Sequence, residues 1–276
     1  MSLTSIATYI YTVLLKQKHI RRLTNAILLS VVVRESVTIK EGILYLNQKD
    51  VVISSALALG VYEPFQIEVF RSLLSSSMTV VDIGANIGLY TVIAAKKAGK
   101  VFSFEPESEN IALLNKNVRE NGLANVQTFQ KAVADTEGTQ EFFISNNNKG
   151  SHSLFTPPDT FEKGTVETIS LDAWAAQNHI DNIDLIKIDV QGAEFLVLKG
   201  MKKILARHPT ILIEYDPDML ASSGGDPINI LEDFKSLGYT IHNISETYKK
   251  LELVSDIQSL RESLRGRKFT NLLIKH

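Results

Sequence analysis

From Thr79 onward the chain alternates short apolar runs with amphipathic segments of helix length, and this rhythm restricts the fold more than any other feature. "TVVDIG" (79–84) reads as a buried strand, and "IGLYTVIAAKKAG" as a helix ended by Gly99. "KVFSFEP" is a second strand, "ESENIALLNKNVRENG" a helix ended by Gly122, and "NVQTFQKAV" a third strand. The pattern breaks between "EFFIS" (141–145) and "VETISLDAW" (166–174), where the intervening residues are turn formers, so a long loop of functional type is expected there. It resumes with strand "IDLIKIDV" (183–190), helix "GAEFLVLKGMKKIL" and strand "TILIEY" (210–215). Helix "INILEDFKSLG" and strands "YTIHNI" and "FTNLLIKH" complete it. Strands and helices in this alternation predict an α/β fold, a mostly parallel sheet with helices on both faces.

Residues 1–36 stand apart. "LTSIATYIYTVLL" and "LTNAILLSVVV" flank the basic "KQKHIRR". Each is shorter than the roughly 20 residues of a membrane span and lacks a signal-type cleavage site. The segment reads as an N-terminal helical extension packed on the body. Its apolar surface would serve as a cap, a homodimer face or a peripheral membrane contact with the basic residues toward anionic headgroups. Residues 37–61 suggest a small β element, and 62–276 the main domain. A formal net charge of -2 supplies no cationic excess for phosphates, so nucleic acid is not an expected partner. The absence of cysteine excludes disulfides, thiolate ligands and a cysteine nucleophile, and suits a cytoplasmic protein, with membrane association as the alternative.

The turn after the first strand, "VVDIGANIGLYT" (80–91), indicates the ligand. In open α/β sheets ligands sit beyond the carboxyl ends of the strands, where this first turn presents its N–H groups. A dinucleotide fingerprint needs three glycines, but counting from Gly84 its second and third positions hold Asn86 and Leu89. What remains is Asp-x-Gly-x-Asn-x-Gly, in which Asp82 sets a carboxylate that suits an ammonium group. Glu105, ending the second strand before Pro106, can accept hydrogen bonds from both hydroxyls of a ribose. One acid for an amine and one for a ribose point to S-adenosylmethionine.

With "VFSFEPESENIALLNKNVRENG", "KAVADTEG", "SLDAW", "IDLIKIDVQGAEFLVLKG" and "ILIEYDP", that turn makes an ordered set over about residues 62–217 that resembles the FkbM family of class I methyltransferases. The resemblance implies a Rossmann-like fold with a mostly parallel seven-stranded sheet and O-methylation of a hydroxyl on a sugar, glycan or secondary metabolite. It places Asp82, Gly84, Ala85, Asn86 and Gly88 at the methionine end of S-adenosylmethionine, and Glu105 and Pro106 at the ribose. Ala132 and Val133 fall near the adenine, and Tyr62 and Glu63 close over the cofactor. The family's "DVEG" reads "DVQG" here, with Gln191 in place of the acid.

Methyl transfer to a hydroxyl requires in-line alignment and removal of a proton. Asp189, ending the fourth strand, is the best placed acid; Glu194 in the next helix and His152 in the long loop are the other catalytic candidates. Asp189 with Glu214 or Asp216 would give an oxygen-rich Mg2+ site, an alternative not expected to be used. Lys187 and Trp174 read as strand and core residues. The rival functions are a nicotinamide-dependent oxidoreductase and a S-adenosylmethionine-binding scaffold without catalysis.

Overall fold

The computed structural model describes residues 35–50, 52–145, 152–155, 161–266 and 268–276. The two N-terminal helices expected within 1–34 lie outside the described residues.

A hairpin of β1 (Ser36–Ile39) and β2 (Gly42–Tyr45) leads through helices 53–58 and 64–73 into β3 (Thr79–Ile83). Helix 89–95, β4 (Lys100–Phe104), helix 108–120 and β5 (Val126–Phe129) follow. After β6 (Ala132–Val133), β7 (Gly138–Ser145), β8 (Phe161–Ile169) and helix 171–177, the chain returns through β9 (Leu185–Ile188), helices 194–199 and 202–205, and β10 (Thr210–Tyr215). Helices 217–222 and 227–236, β11 (Thr240–Ser245), β12 (Lys250–Leu253), helix 257–263 and β13 (Thr270–Lys275) complete it.

The main sheet has the order β12-β11-β13-β10-β9-β3-β4-β5. β5, β4, β3, β9 and β10 are parallel, β13 inserts antiparallel between β10 and β11, and β12 pairs antiparallel with β11. From β3 the chain winds outward through β4 to β5, then re-enters on the opposite side at β9. The carboxyl ends of β3 and β9 are therefore the switch point where such sheets bind ligands. Strand alternation divides the core: Val81, Ile83, Ile186 and Ile188 pack on one face with Trp174 and Phe104, while Val80 and Leu185 pack on the other with Phe70 and Val92.

Three details depart from the sequence reading. "NVQTFQKAV" is not one strand: β5 ends at Phe129, and β6 joins a separate sheet of order β6-β8-β7. The sheet also gains an eighth strand, since β12 extends it beyond β11; "KLEL" has charged residues alternating with leucines, the signature of an exposed edge strand, and it is too short to dominate a periodicity argument. β8 begins at Phe161, inside the stretch read as loop, and pairs with β7 from Gly138↔Thr168 to Ser145↔Phe161; residues 146–151 and 156–160 of that stretch lie outside the described residues.

The β1–β2 hairpin is tied to the turn after β3 by a single buried side chain. The Asn117 amide donates to Ile87 O (2.7 Å) and Tyr45 O (3.1 Å), while its Oδ1 accepts from Tyr45 N (2.6 Å).

Candidate active site

The turn after β3 is shaped by close packing. Gly84 has φ of 77°, and a Cβ there would run into the Asp189 carbonyl oxygen; at Gly88, φ of 91°, it would strike Leu114 of helix 108–120. Both glycines thus serve contacts inside the protein: one lets the ends of β3 and β9 meet, and the other seats helix 89–95 against its neighbour. Gly84 N and Ala85 N both donate to Phe104 O at 3.0 Å, binding the turn to the end of β4.

A cavity of about 320 Å³ opens over these strand ends. Glu63, Gly84, Ala85, Asn86, Glu105, Pro106, Ala132 and Val133 line it, as do Tyr62, Asp189 and His152. Asp82, Gly88 and Glu194 are not among its lining residues.

At one end, Glu105 is fixed by backbone donors: Asn86 N reaches Oε2 at 2.8 Å and Glu107 N reaches Oε1 at 3.0 Å. Burial pushes its pKa up to about 7, against the pull of those two N–H groups. The Asn110 side chain also hydrogen-bonds to this carboxyl. Ala132, Val133 and Pro106 offer apolar surface beside it.

Asp82 lies beneath the cavity, 1% exposed. Alternation along β3 turns it to the face of Val80, where its Oδ2 accepts from Thr91 Oγ1 at 2.7 Å. Burial raises its pKa, offset in part by the charge of Lys187, its register partner on β9.

The opposite end holds a cluster of charges on β9 and β10. Lys187, 5% exposed, forms an ion pair with Asp189 Oδ2 at 3.0 Å and lies 4.6 Å from the centre of the Tyr90 ring. Burial alone would lower its pKa, but Asp189, Asp82 and Glu63 together raise it. Gln191 donates from one amide nitrogen to Asp189 Oδ1 (2.9 Å) and Glu214 Oε2 (2.8 Å). The Glu214 carboxyl is raised well above its ordinary range by burial and by the carboxylates of Asp189, Glu194 and Glu63. Glu63, with φ of 40°, accepts from Tyr90 Oη (3.0 Å) and Asn271 Nδ2 (3.1 Å), and burial, with Asp189 nearby, pushes it up to about 7.

Glu194 turns back on the loop that precedes its helix. Its Oε1 accepts from Val190 N and Gly192 N, both at 3.2 Å, and burial raises it to about 7. His152 is held over the cavity. Ser153 bridges to Phe143 of β7 through both backbone bonds (2.8 and 3.1 Å), and its hydroxyl donates to Gln191 O at 2.7 Å, while the His152 ring lies 6.1 Å from that of Phe142.

The alternative Mg2+ ligands are engaged with donors. Asp189 and Glu214 share the Gln191 amide, Asp189 also binds Lys187, and Asp216 caps helix 217–222 by accepting from Met219 N at 2.9 Å. Among the described residues no group of three or more His, Asp or Glu is placed to hold a metal ion. Sequence reading missed Lys187 and Gln191 as cavity residues. The signal was present: Leu185, Lys187 and Asp189 share one face of a strand by period-two alternation, so a lysine two positions before a site carboxylate lies beside it.

Taken together, a switch point between β3 and β9, a glycine turn and an acid after the neighbouring strand define an α/β enzyme of the nucleotide-cofactor type. A family model described as "Methyltransferase FkbM domain" matches residues 82–241, more than half of the chain, and the chain belongs to that family. It is a methyltransferase. It is 28% identical over 204 residues to 2-O-methyltransferase NoeI of Sinorhizobium fredii, covering 66% of this chain and 82% of that protein. Hexuronic acid methyltransferase AglP of Haloferax volcanii is 29% identical over 134 residues, 48% of this chain and 54% of that protein. A crystal structure of Methyltransferase FkbM from Methylobacillus flagellatus superposes with a TM-score of 0.46 at 17% identity, covering 93% of this chain and 60% of that one. Among the described residues no helix is long and apolar enough to cross a membrane.

Proposed function

We propose that this chain transfers a methyl group from S-adenosylmethionine to a hydroxyl of a sugar or glycan. The observation that carries the reading is one cavity with a ribose-type carboxylate at one end and a hydrogen-bonded carboxylate beside a lysine at the other. The sugar class is drawn from the relatives, a 2-O-methyltransferase and a hexuronic acid methyltransferase.

The residues present fit the cofactor. Glu105 has its two oxygens aimed by backbone N–H groups and lines the cavity, where it would accept from a ribose. Ala132 and Val133 would hold the adenine, the 84–86 backbone the methionine end, and Glu63 its ammonium. Asp82 acts from below, holding Thr91 and balancing Lys187. When bound, S-adenosylmethionine supplies an electrophilic methyl on a positively charged sulfur. Asp189 would orient the acceptor hydroxyl and take its proton. Lys187 and Gln191 hold Asp189 in place. Glu194 serves as a clamp on the 190–192 turn, and His152 covers the acceptor side. The catalytic unit is 62–276, and 37–61, a β hairpin followed by helix 53–58 rather than a β element alone, adds Ile53 and Leu57 to the cavity wall.

The test is incubation of the full chain with methyl-labelled S-adenosylmethionine and a panel of neutral and hexuronic methyl glycosides, with and without EDTA. The reading expects label in a methyl ether, formed in step with S-adenosylhomocysteine and insensitive to EDTA. Cofactor binding without a methylated product across the panel overturns it in favour of a non-catalytic scaffold, and activity lost to EDTA and restored by Mg2+ overturns the metal-free assignment.

A further inference from the structure

We infer that Gln191 is a positioning residue of this site, whose neutral side-chain amide locks Asp189 and Glu214 into one unit and fixes the carboxylate that faces the acceptor. The inference rests on the reading of Asp189 as that carboxylate. One amide nitrogen lies 2.9 Å from Asp189 Oδ1 and 2.8 Å from Glu214 Oε2, so its two N–H groups reach both acids at once. The backbone holds it there. Gln191 has φ of 52°, and Gly192 beside it, φ of 93°, has its missing Cβ space occupied by Met219 and Ser223. The Gln191 carbonyl also accepts from Ser153 Oγ at 2.7 Å, so the residue connects the end of β9, the end of β10 and the segment that carries His152.

Charge distinguishes this amide from the acid that the family form "DVEG" carries at the same position. Around it stand Lys187 of β9 and Asp189 just beyond it, Glu214 of β10, Asp82 of β3, Glu63 before helix 64–73 and Glu194 of helix 194–199. Lys187 is the one cation in that group. A carboxylate at position 191 would add a negative charge between two acids and require a further proton or cation.

The experiment compares Gln191→Glu and Gln191→Leu with wild type in kcat against pH, using a glycoside the wild type methylates. Calorimetric affinity for S-adenosylhomocysteine and melting temperature are recorded for each. The inference expects cofactor affinity and melting to be retained in both. Gln191→Glu should move the acidic limb of the kcat profile up by about one pH unit or more and recover turnover on the alkaline side. Gln191→Leu, which fills the space without donating, should lose about tenfold or more in kcat with no limb shift. Equal losses at every pH in both variants mean a structural role only and overturn the inference, as does wild-type behaviour of both. Asp189→Asn, measured in parallel, separates the two failures. If it keeps wild-type kcat, the reading of Asp189 falls, and the inference with it; if it loses turnover while both Gln191 variants behave as wild type, only the role of Gln191 falls.

Discussion

Lys187 Nζ lies 3.0 Å from Asp189 Oδ2, two positions away on the same face of the chain, and its register partner across the sheet is the buried Asp82. One ammonium therefore serves two acids, one inside the core and one at the cavity. Removing it leaves Asp82, 1% exposed, without a nearby cation among the described residues. Lys187→Met should destabilise the fold by about 3 kcal/mol, the scale for an uncompensated buried charge. Urea denaturation at neutral pH checks this. A midpoint equal to wild type contradicts the shared-ammonium account.

Burial raises the Glu194 carboxyl from 4.5 to about 7 in the folded protein. A carboxyl raised in this way stabilises the fold in full below its unfolded pKa, and that contribution is lost as pH rises through about 7. The size implied by the shift is about 3 kcal/mol at most. Glu194→Gln keeps an oxygen for Val190 N and Gly192 N but does not titrate. Its stability relative to wild type should therefore increase between pH 5 and pH 8 by up to about 3 kcal/mol. Paired urea titrations at the two pH values read this directly, and a constant difference contradicts it.

Much of this was legible in the sequence, and what was not has physical reasons. The alternation from Thr79 gave the order of strands around the switch point, because parallel strands buried on both faces read as unbroken apolar runs. It could not show that the chain leaves the main sheet after Phe129, since a change of sheet within "TFQKAV" leaves no mark on local periodicity. Glu105 and Asn86 were legible as cavity residues, and the structure brings them into direct contact. Gly84 was legible as a required glycine but for a different reason: the atom crowding it is the carbonyl of Asp189, 105 residues later, a contact only the fold creates. Gln191 and Lys187 were hidden by their ordinary roles as turn and strand residues, since a pair of carboxylates shared across β9 and β10 appears only once the strands are aligned.

Asp189→Asn retains shape and can still accept from Lys187 while losing the charge that the proposed mechanism uses to take a proton. Turnover should fall about 100- to 10,000-fold, the range for a lost general base, with cofactor affinity largely kept. His152→Ala, made in parallel, tests the covering segment. Near wild-type turnover in Asp189→Asn together with its abolition in His152→Ala would reverse the roles of the two residues.

The central claim is that this cavity binds S-adenosylmethionine through Glu105, and calorimetric titration of wild type and Glu105→Ala with S-adenosylmethionine and NAD tests it most directly. Losing charge-assisted bonds to the ribose costs about 1.5 to 3 kcal/mol, or about ten- to a hundredfold in affinity. The account predicts saturable binding of S-adenosylmethionine and none of NAD, with affinity reduced by that factor in a folded Glu105→Ala. Unchanged affinity in the variant, or binding of NAD in place of S-adenosylmethionine, would contradict it.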